Sequence, residues 1–589
     1  MAYASPAAVP LVEVVERRQQ SCENSPTSRW CWGKYSIDTD WYKVVPETGV
    51  TREYWLNVDL MKLSPDGYEV DVLAVNGSVP GPLIEAIWGD WLVIHVTNNI
   101  PTNGTAIHWH GIHQKDTVAH DGVPGVTQCP TAPGNTTTYR FRAAQYGTSW
   151  YHSHFSLQAA MGLLGPLVIH GPATANYDVD LGPVVLMDWF HGSVFHIWDT
   201  TQRIIALKQP HAENGLINGR NTFEECARSA DPRCKGTGQR FEFDRAFEPG
   251  KKYLLRLVGS QTDGYFKFAI DGHKLTVIAA DFVPITPYET DAVVLGSGQR
   301  YDVVVEAKPS PINSRGLYWL RAIYQTACNF NNNDSKDNIL GIVRYAGADR
   351  AAVPTTTKPR AITDSCADEP YDKLVPHLRH DVGPDAVRER LKISWYYELD
   401  LVYHWTINTR TLIVNWSDPT VLKVHQNSKD NGGGPVSVDF PRIQNVVKVD
   451  LMDDWVYWVI EDFTLVNVWH PMHLHGHDFY VLAQGRGPFV PGLVRLNLSN
   501  PPRRDTVSLL GTGYVVIAFK TDNPGIWLMH CHIAWHASQG LSLQLLERAS
   551  EIPRQLDGDP AYLAEMGETC ASWKSWYPTS PYKQDDSGI

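Results

Sequence analysis

The chain lacks what membrane-spanning and nucleic-acid-binding proteins need. No apolar run approaches the ~18 residues of a membrane-spanning helix, since the candidate at 161–169 is interrupted by glycine and proline. Acidic residues outnumber basic residues by 64 to 51, and no basic block could neutralise a phosphate backbone. Methionine is scarce, with eight residues and no cluster. We therefore expect neither a membrane nor nucleic acid as a partner.

The overall composition is that of a globular, exported protein. Hydrophobic residues at 43% and charged residues at 20% are ordinary values, and 589 residues predict three or four domains. Eight pairable cysteines of nine, together with six Asn-x-Ser/Thr sequons, favour an extracellular protein. Arg17-Arg18 is either a dibasic processing site after a short pro-segment or ordinary surface charge. The sequons begin at Asn76, Asn103, Asn135, Asn333, Asn415 and Asn497.

Short alternating apolar runs, each preceded by a turn signal, predict an all-β chain of Greek-key β-sandwiches or barrels. Helical patterning is limited to 384–391 and to the tail near 561–568. His-x-His motifs occur towards both ends of the chain and are missing from its middle third. Three consecutive domains follow from this pattern. The predicted bounds are an N-terminal extension at 1–34, domains at 35–172, 173–346 and 371–550, a linker at 347–370 and a tail at 551–589.

Four His-x-His pairs indicate a metal cluster. Residues two apart on a strand face the same way, roughly 6.5–7 Å apart, so each pair directs two imidazoles to one side. Imidazoles suit copper, zinc, iron or nickel, and the lack of matching carboxylates disfavours hard cations. One such pair is usually a surface feature or a coincidence, but two pairs in each of two related domains are not. The pairs are His108 with His110, His152 with His154, His473 with His475, and His530 with His532.

Cys531 separates His530 from His532 and must point to the opposite face of their strand. His536 follows it closely and His470 precedes the third pair at an odd offset, so both reach the side of the cysteine. Two histidines and a cysteine form the blue-copper electron-transfer set, whereas a small buried hydrophobe is the alternative role for the thiol. One strand would then join a mononuclear copper to a cluster able to hold three more. Four coppers match the four electrons that reduce O2 to two waters.

Over about residues 35–550 the chain resembles the multicopper oxidases, and among them the laccases of ascomycete fungi. The motifs that carry this resemblance are His108-Trp-His-Gly, Trp150-Tyr-His-Ser-His, His470-Pro-Met-His-Leu-His-Gly and His530-Cys-His-Ile-Ala-Trp-His. The resemblance implies three cupredoxin-like domains and four copper ions. The implied ligands are His470, Cys531 and His536 for type 1 copper, His108 and His473 for type 2, His110, His152 and His532 for one type 3 ion, and His154, His475 and His530 for the other.

The resemblance assigns roles to three further residues near the copper sites. Leu541 stands where other members place an axial methionine, which implies a three-coordinate type 1 copper of relatively high potential. Asp121 resembles the carboxylate beside type 2 copper, and Asp522 resembles the one near the type 3 pair that assists proton delivery. Asp-Gly and Asp-Asn-Pro are also good turn sequences, so a turn role is the alternative for both acids.

A substrate pocket beside type 1 copper is implied as well. Asp263 falls where laccases place an acid, commonly glutamate, that accepts the phenol proton; a turn aspartate before Gly264 is the alternative. The valines of the implied pocket replace larger side chains of relatives, which predicts a more open mouth. Val466, Val468 and Trp535 would form the apolar mouth, and Asp263 and His536 would complete the pocket.

The C-terminus and the cysteines complete the resemblance. The last four residues resemble an Asp-Ser-Gly-Leu tail that plugs the solvent channel to the trinuclear site, with a frayed terminus as the alternative. They are Asp586, Ser587, Gly588 and Ile589. A copper thiolate at Cys531 leaves eight cysteines for disulfides. The resemblance suggests Cys22–Cys31, Cys129–Cys570 and Cys328–Cys366, which leaves Cys226–Cys234.

The implied activity is that of a laccase. Small phenols and aromatic amines would lose single electrons at type 1 copper, and Cys531 with His530 or His532 would pass them to the trinuclear cluster that reduces O2. A metallo-oxidase acting on Fe(II) or Cu(I) is the first alternative, although it would want acidic or Met-rich patches. A non-catalytic electron carrier is the second, and the complete set of ten histidines plus one cysteine argues against it. We expect a secreted monomer.

Overall fold

The computed structural model describes residues 22–203, 209–308, 315–328, 332–355, 362–399, 401–434 and 436–589. Strands dominate it, so the predicted all-β class is confirmed. Among the described helices, none has the length and apolar character needed to cross a membrane. The predicted processing site at Arg17-Arg18 lies outside the described residues.

The first part of the chain folds into two four-stranded sheets that follow a small hairpin of Cys31–Trp32 and Tyr35–Ser36. In spatial order the first sheet contains Val70–Val75, Thr51–Leu63, Trp91–Asn98 and Thr136–Arg142. The second sheet contains Ile84–Ile87, Leu164–His170, Gly147–Ser153 and Ile107–Trp109.

The middle part contains a six-stranded and a five-stranded sheet, with a small pair formed by His211–Ala212 and Asn332–Asn333. The six strands are, in spatial order, Asn214–Ile217, Val179–Trp189, Lys252–Gly259, Arg300–Glu306, Leu275–Ala280 and Val283–Thr290. The five strands are Phe241–Glu242, Leu340–Arg344, Leu317–Tyr324, Phe266–Ile270 and Val293–Leu295.

The last part repeats the arrangement of six and five strands. The six strands are Tyr403–Ile407, Val387–Tyr397, Trp455–Asp462, Gly513–Lys520, Phe479–Arg486 and Arg503–Arg504. The five strands are Val446–Val449, Ser542–Glu547, Gly525–Cys531, His470–Leu474 and Thr506–Leu509. The main sheets fall within the three predicted domain ranges, whose bounds stay a prediction.

Helices are few, and the longest is the C-terminal helix Pro560–Trp576. The α-helices are Val194–Thr201, Thr420–Asp430, Ala534–Ser538, Ile552–Gly558 and Pro560–Trp576. The 3-10 helices are Val118–His120, Gln158–Met161, Glu224–Ala227, Arg442–Gln444 and Tyr577–Thr579. The predicted tail helix near 561–568 lies within Pro560–Trp576 and is confirmed.

The predicted helix at 384–391 is wrong, because this segment leads into the strand Val387–Tyr397. The strand pairs in parallel with Trp455–Asp462, and its first residues alternate between half-buried and exposed positions. One predicted sequon is also unsuited to a glycan in the folded chain. Asn333 is buried, and its side-chain amide donates a hydrogen bond to the Asn214 carbonyl at 2.7 Å.

Hydrophobic packing joins the first and last parts of the chain. The core of the last part includes the strands at 455–462 and 525–531 and also Val118 and Phe155 from the first part. Trp573 of the C-terminal helix is fully buried in the same core. The first and last parts are therefore held face to face, which places their His-x-His motifs opposite each other.

Candidate metal centre

Strand register brings the four histidine pairs together two by two. His108 on Ile107–Trp109 is directly opposite His152 on Gly147–Ser153. In the last part His473 is directly opposite His530. Cross-strand partners of an antiparallel pair project to the same face of the sheet, so each sheet presents its imidazoles as one group.

Packing of the first part against the last part then merges the two groups into one buried cluster. Three sets of histidines have nitrogen atoms within 4.8 Å of one another, and each predicted cluster histidine except His532 belongs to at least one set. His532 joins through its Nε2, which lies 3.3 Å from Nδ1 of His110. The sets are His108, His473 and His475; His108, His110 and His152; and His154, His475 and His530.

Hydrogen bonds on the outer side of these rings fix their orientation. Nδ1 of His108 donates to the Asp121 carbonyl and Nδ1 of His473 donates to the Asp505 carbonyl, both at 2.8 Å. Nδ1 of His475 donates to the carboxylate of Asp121, also at 2.8 Å. A ring that donates through Nδ1 keeps the lone pair of Nε2 for a metal ion, and such outer contacts also raise ligand basicity.

The ring nitrogens that face inward suit a cation. Among the described residues, Nε2 of His108, His152 and His473 and both ring nitrogens of His154 are buried without a hydrogen-bond partner. Buried polar atoms are normally satisfied, so a group of converging unsatisfied lone pairs fits the binding of a metal ion. Burial lowers the pKa of His530 to about 4 and keeps the ring neutral, as metal binding requires. Burial also lowers, well below its ordinary value, the pKa of His110, His152, His154, His473, His475 and His532.

A second, smaller site lies on the other side of the strand Gly525–Cys531. Sγ of Cys531 lies 3.6 Å from Nδ1 of His470 and 3.4 Å from Nδ1 of His536. The two Nδ1 atoms are 3.1 Å apart, and all three side chains are buried. Burial lowers the pKa of His470 to about 4 and raises the pKa of the Cys531 thiol. Two neutral imidazoles and a buried thiol facing one point are the donor set of blue copper.

Leu541 is hydrogen-bonded through its backbone to two residues of this smaller site. Its side chain is fully buried, its amide donates to the His536 carbonyl at 3.0 Å, and its carbonyl accepts from the Cys531 amide at 3.1 Å. An aliphatic side chain offers no donor atom at that position. Trp405 packs on the site, with its ring centroid 4.6 Å from that of His536.

Three segments of the chain, at 57–174, 180–348 and 414–551, match profiles described as multicopper oxidase. The chain belongs to the multicopper oxidase family. It is 51% identical to the oxidoreductase OpS5 of Beauveria bassiana, over 98% of this chain and 94% of that protein. It is 49% identical to laccase-2 of Botryotinia fuckeliana, over 100% and 98% of the two chains. The crystal structure of a Botrytis aclada laccase superposes with a TM-score of 0.89 at 50% identity, covering 97% of this chain and 100% of that one.

This multicopper oxidase therefore has the predicted cupredoxin-like β-sandwich fold and binds copper. The cysteine pairs match the prediction as well. The structure contains disulfides between Cys22 and Cys31, Cys129 and Cys570, Cys226 and Cys234, and Cys328 and Cys366. Cys531 is the cysteine left outside a disulfide, and it is buried.

Of the three predicted acids, Asp121 and Asp263 are buried close to the two sites. Asp121 contacts both His108 and His475 through its carbonyl and carboxylate. Asp263 is 3% exposed, and its charge adds to burial in raising the pKa of Cys531. The loop that carries Asp263 is held from below by Asp188, whose carboxylate accepts the amides of residues 262, 263 and 264.

Asp522 is instead exposed at the surface. It lies in the short connection between the strands Gly513–Lys520 and Gly525–Cys531, and its charge helps to raise the pKa of both members of a buried pair, His477 and Glu547. Nε2 of His477 lies 2.9 Å from a carboxylate oxygen of Glu547, and the charge of Glu547 outweighs burial and raises the pKa of His477. Nδ1 of His477 lies 3.1 Å from the His475 carbonyl, so the pair is next to a histidine of the cluster.

Two residues of the middle part reach the cluster without any His-x-His signal. Nδ1 of His532 donates to Oγ of Ser297 at 2.9 Å. The Arg300 guanidinium binds both carboxylate oxygens of Asp505 at 2.7 and 2.6 Å, and Asp505 lies 3.2 Å from Nε2 of His110. Sequence patterns identify Arg300 only as the start of a strand and Asp505 only as an acid after two arginines. They therefore predict a role in the site for neither Arg300 nor Asp505.

The predicted pocket residue Trp535 lies on the same short helix as His536, and the tail contacts elements of both sites. Trp535 is buried with its ring 5.6 Å from that of Phe190, and Val466 and Val468 are half-buried in the segment before His470. The last three residues of the tail are buried. Three hydrogen bonds hold the tail, among others. The Ser587 amide donates to the Ser538 carbonyl, and Nε1 of Trp416 donates to the Gly588 carbonyl. The Ser156 hydroxyl donates to the Asp586 carboxylate.

Proposed function

We propose that the chain is a laccase, which removes single electrons from phenols and aromatic amines and reduces O2 to water in the benzenediol:oxygen oxidoreductase reaction. One observation carries the proposal. Cys531 belongs to the smaller site, while its covalent neighbours His530 and His532 point into the larger cluster on the other face of the same strand. A substrate electron accepted on one face therefore has a covalent path to the other.

The proposed ligands fit copper by their donor chemistry. Neutral imidazoles with unsatisfied nitrogens and one buried thiol suit copper better than they suit magnesium or calcium. Four ions are proposed. The ligands are His470, Cys531 and His536 for type 1 copper, His108 and His473 for type 2, and His110, His152, His154, His475, His530 and His532 for the type 3 pair.

Bound copper would supply the one-electron redox chemistry, and the chain supplies the proton handling and the shape of the sites. Asp263, buried beside Cys531, is placed to accept the phenol proton as the electron leaves. Asp121 orients His108 and His475. Asp522, together with the buried Glu547 and His477, supports a path for protons from the surface towards the type 3 site.

The C-terminal tail is proposed as the plug of the solvent channel. Ser587 contacts the helix that carries His536, and Asp586 contacts Ser156, two residues beyond His154. The tail therefore lies between elements of both copper sites. The buried side chain of Ile589, 3% exposed, supports docking rather than fraying.

We further propose that the protein is secreted and acts as a monomer on small reductants. Four disulfides support the secretory route, because an oxidising compartment is needed to keep them.

Spectroscopy with a substrate panel tests the function. The copper-loaded protein should be blue, contain about four coppers per chain, and consume O2 with methoxyphenols and an aromatic azine dye. Uptake of O2 with Fe(II) but with no phenol would make the protein a metallo-oxidase. A blue colour without O2 uptake would make it an electron carrier.

A further inference from the structure

We propose that a row of aromatic side chains leads from the surface to His536 and lets polymeric phenols be oxidised without entering the pocket. The row lies on the hairpin formed by Val387–Tyr397 and Tyr403–Ile407. This inference rests on the proposed function, because copper(II) held by His470, Cys531 and His536 must be the electron acceptor.

Strand register places the row on one face of the hairpin. Trp395 is directly opposite Trp405, and Tyr397 is directly opposite Tyr403. Cross-strand partners project to the same side, so all four rings share one face. The ring centroids are 5.2 Å apart for Trp395 and Tyr397, 6.2 Å for Tyr397 and Tyr403, 6.1 Å for Tyr403 and Trp405, and 4.6 Å for Trp405 and His536.

Exposure falls along the row from its outer to its inner end. Trp395 is 42% and Tyr397 is 38% exposed, Tyr403 is half-buried, and Trp405 is 5% exposed. The row therefore begins in solvent and ends against a ligand of the smaller metal site. No step between neighbouring centroids exceeds 6.2 Å.

The smaller metal site is too buried for a polymer to reach it directly. His536 is 8% exposed, and the pocket residues Asp263 and Trp535 are each 3% exposed. A small phenol can approach such a site, whereas a ring that belongs to a rigid polymer cannot bring its oxygen to His536. A polymer can, however, lay a ring against the exposed Trp395 and Tyr397, because offset and edge-on aromatic contacts are favourable.

Electrons and protons balance in the proposed step. Tyr397 or Trp395 would give one electron, through Tyr403 and Trp405, to the copper(II) that His470, Cys531 and His536 would hold, and the copper would become copper(I). The oxidised side chain then takes one electron from a phenol group of the polymer. That phenol releases its proton to water and becomes a phenoxyl radical. Any proton that a tyrosine hydroxyl loses on oxidation is regained on reduction, so the side chains end unchanged.

The double variant Trp395→Phe/Tyr397→Phe tests the proposal, because phenylalanine keeps a ring for contact but resists oxidation. The control is Tyr396→Phe. Tyr396 is 38% exposed, as Tyr397 is, but its ring lies on the opposite face of the hairpin, beside His404. Bleaching of the blue band is measured without O2, using either a synthetic polymer of a methoxyphenol or the free methoxyphenol. Binding of the same polymer to the copper-free proteins is measured by sedimentation.

We expect the double variant to lose about tenfold in the polymer-dependent bleaching rate, with an unchanged rate for the free phenol and unchanged polymer binding. The control should behave as the parent protein. An unchanged polymer rate would overturn the proposal. A binding loss as large as the rate loss would also overturn it, since the hairpin would then only hold the polymer. Failure of the parent to bleach with the free phenol would instead contradict the proposed laccase function.

Discussion

At the scale of single residues, Cys531 determines how the two sites communicate. Its side chain belongs to the site with His470 and His536, and its backbone carbonyl accepts a hydrogen bond from Nδ1 of His530 at 2.9 Å. The same residue therefore contributes to one site through sulfur and orients a ring of the other through its main chain. Burial raises the pKa of the thiol, so the metal-free cysteine stays protonated and unreactive.

Asp263 is the residue whose role is most directly testable. Asp263→Asn keeps the size of the side chain and removes the base, so phenol oxidation should fall about a hundredfold in kcat/KM. An aromatic azine dye, which loses an electron without a proton, should be oxidised at the parent rate. Steady-state rates with both reductants across pH measure the difference.

The matched control for this prediction is Asp522→Asn, which makes the same change at an exposed acid. It should leave the ratio of phenol to dye rates unchanged. An equal loss of phenol and dye oxidation in Asp263→Asn would contradict a proton-accepting role and indicate that the loop above Asp188 had moved.

At the scale of elements, the short helix Ala534–Ser538 links the site to the tail. It carries His536, its first amide donates to the Thr262 carbonyl at 2.9 Å, and its Ala537 carbonyl accepts the Ser587 hydroxyl at 2.8 Å. The pocket loop and the C-terminal tail thus hold the same helix from two sides. Movement of either one would change the position of His536.

Docking of the tail should depend on pH through Asp586. Burial raises the pKa of this carboxyl from 3.8 to about 7, although the hydrogen bond from Ser156 opposes the rise. Because the docked state holds the proton more tightly, docking is strongest below the ordinary pKa and weakens as pH rises towards about 7. Release of Ile589 by a carboxypeptidase should therefore accelerate across that interval.

Asp586→Asn provides the comparison for this prediction. The amide cannot ionise, so release of Ile589 should lose its dependence on pH between the two values. A synthetic peptide of the same C-terminal sequence corrects for the pH dependence of the carboxypeptidase itself. If Asp586→Asn and the parent show the same corrected profile, ionisation of Asp586 does not control docking.

At the scale of the whole molecule, all three parts of the chain meet at the histidine cluster. The first and last parts supply the imidazoles, and the middle part supplies Ser297 and Arg300. Arg300 is fully buried and also donates to the Thr148 carbonyl at 3.2 Å. A buried guanidinium needs such partners, since removing one partner of a buried ion pair costs about 3–5 kcal/mol. The middle part of the chain therefore helps to position the residues of the site.

The disulfide between Cys129 and Cys570 should be the cysteine pair that matters most for global stability. It joins residues 441 positions apart and ties the C-terminal helix to the first part of the chain. Replacing both cysteines by alanine should cost about 2–5 kcal/mol, because a long loop regains its freedom on unfolding. The melting temperature of the copper-free protein measures the loss.

Replacement of Cys226 and Cys234, which close a loop with a separation of 8 residues, is the control. The shorter loop should give a smaller fall in melting temperature. A larger fall for this pair than for Cys129 and Cys570 would contradict the argument from chain freedom.

The sequence by itself determined the donor set and the class of fold. Alternation of side chains along a strand is a local property, so His530 and His532 had to face one way and Cys531 the other. The same alternation, with turn signals between short runs, was enough to predict an all-β chain. It failed at 384–391, where a segment beginning with proline reads as helix and its strand character depends on pairing with Trp455–Asp462.

Only the tertiary structure decided which side chains complete the site. The contacts of Arg300 with Asp505 and of Ser297 with His532 join residues 205 and 235 positions apart and follow from packing between parts of the chain. Packing also placed Asp522 at the surface and Asp263 in the interior, although both acids lie in turn-like sequences, Asp-Gly and Asp-Asn-Pro. The row from Trp395 to His536 likewise depends on how a hairpin lies against a distant helix. Local periodicity sets the direction of a side chain, whereas its burial and its neighbours are set by elements far away in the chain.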